Sequence, residues 1–156
     1  MEHSDLAASL HVLHPSPEWV FVTEVRVRAG WADYSERNQA NAERIIDAFA
    51  MNTWPSRGHL RIAYEVKTSR SDWLRELRDQ MKSVPAYYLS HRFYYVLAEG
   101  VWRPQDRSNP ALRSAGIILV RQGNFERLRI ATKRVAWPMP EGFVAMLLRR
   151  MQDVST

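Results

Sequence analysis

The chain has 156 residues, enough for one domain around a single core. Its 46% hydrophobic and 25% charged content argues against a disordered or membrane-spanning class. No cysteine is present, which excludes disulfides and thiolate metal sites and fits a reducing, cytoplasmic setting. The net charge of +5 comes almost wholly from arginine, since Lys67, Lys82 and Lys133 are the only lysines; the planar guanidinium suits phosphate, so the balance tilts modestly toward a nucleic-acid partner.

Residues 1–14, MEHSDLAASLHVLH, carry an early acid and no basic n-region, so they do not read as a signal peptide and are expected to be loosely ordered. With no run of eighteen apolar residues, no membrane partner is expected. Ser16 and Pro17 suit a helix start, and Trp19, Val20, Val22 and Val25 recur at helical spacing. A helix is predicted over residues 17–28, with a strand as the alternative because β-branched residues are frequent. Residues 31–43 are polar and aperiodic and read as a loop. Two strands, 44–52 and 59–67, are predicted to form a hairpin about the Pro- and Gly-bearing turn 53–58. In the second strand, alternation places Leu60, Ile62, Tyr64 and Val66 on one face and Arg61, Ala63, Glu65 and Lys67 on the other.

Ser69 or Ser71 caps the next helix, whose apolar stripe is Trp73, Leu74, Leu77 and Met81; Pro85 interrupts it. A strand over 92–98, a loop over 99–115, a hairpin of 116–121 with 125–132, and a helix over 140–152 complete the chain. That last helix is expected to bury Phe143, Val144, Leu147, Leu148 and Met151. The sum is a single α/β domain with a mixed β-sheet flanked by helices.

Chemistry concentrates in Asp47, Glu65 and Lys67. Asp47 interrupts the apolar run Ile45, Ile46, Ala48, Phe49, and a bare buried carboxylate is costly. A hairpin over 44–67 puts Asp47 and Glu65 on neighbouring strands, where two carboxylates repel. A divalent cation relieves that repulsion, and all-oxygen ligation suits Mg²⁺ or Mn²⁺. Lys67 shares the face of Glu65 and could orient a water or neutralise charge on a phosphorus centre. Alone, Glu-Val-Lys on a strand is more often a solvated ion pair.

An acid in one strand, a turn, Glu-x-Lys ending the next strand, then a helix resembles the PD-(D/E)XK nuclease superfamily. EVKTSRSDWLREL, DQMK and HRFYYVLAEGV are similar to MmcB-type DNA-repair endonucleases and related small phage-borne proteins, over roughly residues 17–101. The resemblance implies a restriction-endonuclease-like αβββαβ core with a C-terminal hairpin and helix. It also implies a Mg²⁺- or Mn²⁺-dependent DNA endonuclease, acting in DNA repair or phage DNA metabolism, in a superfamily whose members often work as homodimers. Asp47 and Glu65 would ligate the metal with the Val66 carbonyl, Lys67 would be the catalytic lysine, and Glu24 matches an extra acidic ligand, with Glu43 competing for that role. Arg70, Lys82 and Ser69 would face DNA, although capping the helix is the favoured role for Ser69 and a charge at the helix C-terminus is the alternative for Lys82. No proline precedes Asp47, where Ile46 stands. The alternative is a non-catalytic nucleic-acid-binding protein that retains the nuclease fold.

Overall fold

The structure, a computed structural model, describes residues 2–27, 44–79 and 83–155. Six strands form one sheet in the order β1-β2-β3-β4-β5-β6: β1 Trp19–Val27, β2 Arg44–Asn52, β3 Arg61–Lys67, β4 Arg92–Leu97, β5 Gly116–Arg121 and β6 Asn124–Arg129. The β1/β2, β2/β3 and β5/β6 pairs are antiparallel, while β3/β4 and β4/β5 are parallel. The expected α/β class and mixed sheet are therefore present, as is the hairpin joining β2 to β3. Helices α1 (His3–Ser9), α2 (Arg70–Arg78), α3 (Val84–Leu89) and α4 (Glu141–Ser155) pack around the sheet. Among the described residues, no helix is long and apolar enough to cross a membrane.

Each sheet face has its own core. One gathers Val22, Phe49, Ala63, Phe93, Tyr95 and Ile117 beneath α2, α3 and α4, through Trp73, Leu89 and Phe143. The other gathers Ala48, Tyr64, Val66, Tyr94 and Val96 beneath α1, through Leu6, Ala7 and Leu10. β3 and β4 are thus buried on both faces, as central parallel strands require. The face assignment read from alternation in β3 holds, with Ile62, Tyr64 and Val66 opposite Ala63.

Three expectations fail. Residues 19–27 are a strand, not a helix: Val22 and Val25 both reach the same core, on either side of Glu24, whose φ is +54° and whose pairing with β2 is skipped while the register is kept. A three-residue apolar spacing there imitates a helical period. Residues 3–13 are ordered, as α1 and a 3₁₀ turn over Leu10–Leu13, because Leu6, Ala7 and Leu10 cover the sheet. In α4, Phe143 is buried as expected, but Leu148 is 63% and Met151 37% exposed. The loop expected over 31–43, Glu43 and Lys82 lie outside the described residues.

The β5–β6 hairpin turns through Gln122 and Gly123, both at positive φ, a two-residue turn whose twist matches the strands it joins.

Candidate functional site

Two ladders are interrupted at Asp47. β1 pairs with β2 in one register on either side of the Glu24–Asp47 position, which is skipped; the β2–β3 ladder ends at Ala48–Tyr64, one step before Asp47 meets Glu65. Asp47 compensates with its side chain, as Oδ2 accepts the Val66 N–H at 2.8 Å. A carboxylate replaces a backbone carbonyl, so the buried amide keeps a partner while the strands part.

That parting places the Asp47 and Glu65 carboxyls close enough to interact, with both residues buried. Burial first, and the Asp47 carboxylate second, push Glu65 well above the ordinary carboxylate range; Lys67 pulls it down and Glu76 adds to the rise. Without a cation, a proton is what lets these two groups lie together. Lys67 Nζ stands 4.0 Å from Glu65 Oε2 and 3.3 Å from Glu76 Oε1, with 17% of its side chain exposed. The sequence-read trio Asp47, Glu65 and Lys67 is thus one cluster at the end of β3.

Glu76 was not anticipated. It lies on the buried face of α2, where Oε2 accepts from Ser83 Oγ at 2.9 Å and from the Tyr95 hydroxyl at 3.1 Å, leaving Oε1 for Lys67. Its position three residues after the buried Trp73 was the available signal, because residues at i and i+3 share a helix face. His3 was also missed. From the first residue of α1, its Nε2 reaches within 3.3 Å of Asp47 Oδ2. The Asp47 hydrogen bond raises its pKa, against the lowering effect of burial.

The remaining candidates are placed differently. Glu24 is on β1 rather than a helix, beside Asp47 in register, with its side chain exposed. Ser69 is the α2 N-cap, accepting the Asp72 N–H at 3.2 Å. Arg70 was expected to face a phosphate but is committed inside the fold: it donates to both Asp106 oxygens, at 2.5 and 3.0 Å, and to the Val101 carbonyl. Asp106 also accepts from Trp73 Nε1 at 3.1 Å and from the Arg103 N–H. This buried node ties α2 to the 3₁₀ turn Pro104–Ser108, so it fixes the helix that carries Glu76.

No protein-family model matches this sequence, and no curated protein matches it. A solved structure is similar across most of the chain: the SPO1766 protein of unknown function from Silicibacter pomeroyi. The likeness has 15% identity and a TM-score of 0.53, covering 97% of this chain and 82% of that one. It is a likeness of fold.

The donor set suits a hard divalent cation. Asp47 and Glu65 offer paired carboxylate oxygens that repel each other when both are ionised, and the Val66 backbone lies beside them. Among the described residues, no group of three or more His, Cys, Asp and Glu side chains forms a metal cage. Two carboxylates with water completing the shell is the arrangement Mg²⁺ commonly adopts.

Proposed function

We propose that the protein is a metal-dependent nuclease that hydrolyses phosphodiester bonds in DNA, with Asp47, Glu65 and Lys67 as its catalytic set. The observation that carries this reading is the juxtaposition of two buried carboxyls on adjacent strands with a lysine 4.0 Å from one of them. The element order α1-β1-β2-β3-α2, followed by α3 and then β4, supports it too, since it follows the αβββαβ order of the superfamily the sequence resembles.

Asp47 and Glu65, with the Val66 carbonyl, would hold Mg²⁺ or Mn²⁺; when bound, the ion polarises the phosphoryl group and makes water a stronger nucleophile. Lys67 contributes a fixed positive charge near the carboxylates, placed to orient the attacking water or to offset charge developing on the phosphate oxygens. Glu76, itself held by Ser83 and Tyr95, restricts where that ammonium can point. It is a positioning residue rather than a catalytic one.

The test is a cleavage panel of single-stranded, duplex and branched DNA with Mg²⁺ or Mn²⁺, beside Asp47→Asn, Glu65→Gln and Lys67→Met. Wild type is expected to cut at least one form. The variants should lose roughly 10²–10⁴-fold in rate while keeping the far-ultraviolet spectrum of the fold. Full activity in Glu65→Gln refutes the mechanism. A protein that binds DNA, cuts none of these forms and takes up no Mn²⁺ is instead a nucleic-acid-binding module on this fold.

A further inference from the structure

We propose that His3 is a displaceable occupant of the cation position, so that metal uptake requires its imidazole to swing out. The inference rests on the metal-site reading above. Its basis is geometric: the ring Nε2 lies 3.3 Å from Asp47 Oδ2, the oxygen that also accepts the Val66 N–H. That oxygen is one a divalent ion held by Asp47 would need. With the Val66 N–H already on Oδ2, an imidazole N–H directed at the same oxygen leaves it no lone pair for a metal, so the two occupants compete for Oδ2.

The location of His3 makes displacement feasible. α1 is anchored by Leu6, Ala7 and Leu10, all essentially inaccessible to solvent, whereas His3 is the first helical residue and 47% of its side chain is exposed. A rotamer change at His3 can therefore clear the carboxylates while the helix stays docked. Lys67 lies 4.0 Å from Glu65 and 3.3 Å from Glu76, so release of His3 does not leave the pocket without a cation. An occupant of this kind lowers apparent affinity by the fraction of molecules in which it is seated.

Calorimetric titration with Mn²⁺ at a single fixed pH, on the full chain and on His3→Ala, tests the idea. His3→Ala should bind Mn²⁺ about 3- to 10-fold more tightly, with Asp47→Asn as the non-binding control. Titration of wild type with Mg²⁺ followed by nuclear magnetic resonance should move the His3 ring signals toward those of a solvent-exposed histidine. Equal affinity in wild type and His3→Ala overturns the displacement and leaves the metal site standing. Weaker binding in His3→Ala also overturns it, because His3 would then be a ligand. No Mn²⁺ uptake by either form overturns the metal reading and this inference with it.

Discussion

Asp47 accepts the Val66 amide through its side chain, and that single substitution of carboxylate for carbonyl allows two strands to part without orphaning a donor. The residue was legible in the sequence because an acid inside an apolar strand has to be explained, and Glu65 and Lys67 were legible because strand periodicity puts them on one face. Glu76 and His3 were not, since each belongs to a segment read for something else: an apolar stripe in one case, a loose terminus in the other. His14 is a further residue whose role only the folded chain displays. It is buried between Trp19, Phe21 and Tyr64, with Nε2 at 2.6 Å from the Tyr64 hydroxyl. Burial lowers its pKa from 6.5 to about 4. Between those values the unfolded chain binds a proton that the folded chain refuses, so stability is present above the window and lost as pH falls through it. Relative to His14→Gln, which keeps a partner for Tyr64 but cannot titrate, wild type should lose about 3 kcal/mol between about pH 7 and about pH 4. Urea unfolding at a series of pH values measures this; parallel curves for the two proteins would contradict it.

At the scale of elements, most of the sheet could be read in advance because β4 and β5 carry the apolar runs of doubly covered strands, β2 is apolar apart from Asp47 and its ends, and β3 alternates. β1 could not, and the cause is local. The positive φ at Glu24 shifts the facing of the strand, so Val22 and Val25, three residues apart, enter the same core. A period of three in a β-branched segment then mimics a helix turn. α1 failed for the opposite reason. Seven residues are too few for a helix to persist in water by propensity alone, so its existence depends on what it covers. What it covers is the face formed by Ala48, Tyr64 and Val66, directly behind the carboxylate pair. Leu10 is wholly buried there, and Leu10→Ala should cost about 2–5 kcal/mol by chemical denaturation. If the terminus were the loose segment its sequence suggests, that substitution would be nearly neutral.

For the molecule as a whole, the arginine-rich composition acquires a second meaning. The basic excess pointed toward phosphate, yet many guanidinium groups donate to main-chain carbonyls within the fold: Arg61 to Trp137, Arg70 to Val101, Arg92 to Ala131, Arg134 to Tyr87 and Arg150 to Thr23. Several of these bonds hold down the irregular segment between β6 and α4, which also stacks Trp137 on Tyr88 at a centroid distance of 4.6 Å. Backbone pairing supports it as well, through Thr132 N–H to the Ser114 carbonyl, Arg134 N–H to the His91 carbonyl and Trp137 N–H to the Tyr88 carbonyl. A forked, always charged side chain is suited to the task, because it reaches a carbonyl across a gap while staying hydrated at its rim. Net charge alone therefore overstates the arginine available to a nucleic acid. Arg61 makes the distinction testable. It is 8% exposed, on the central strand β3, and its Nη2 lies 2.9 Å from the Trp137 carbonyl. Arg61→Lys preserves the charge but not the planar fork, so it should lower stability by about 1–2 kcal/mol. The salt dependence of the proposed DNA binding, followed by fluorescence anisotropy across ionic strengths, should be unchanged, because a buried guanidinium releases no counterion from the duplex. A variant of full stability with a shallower salt slope would instead place Arg61 on the nucleic-acid face.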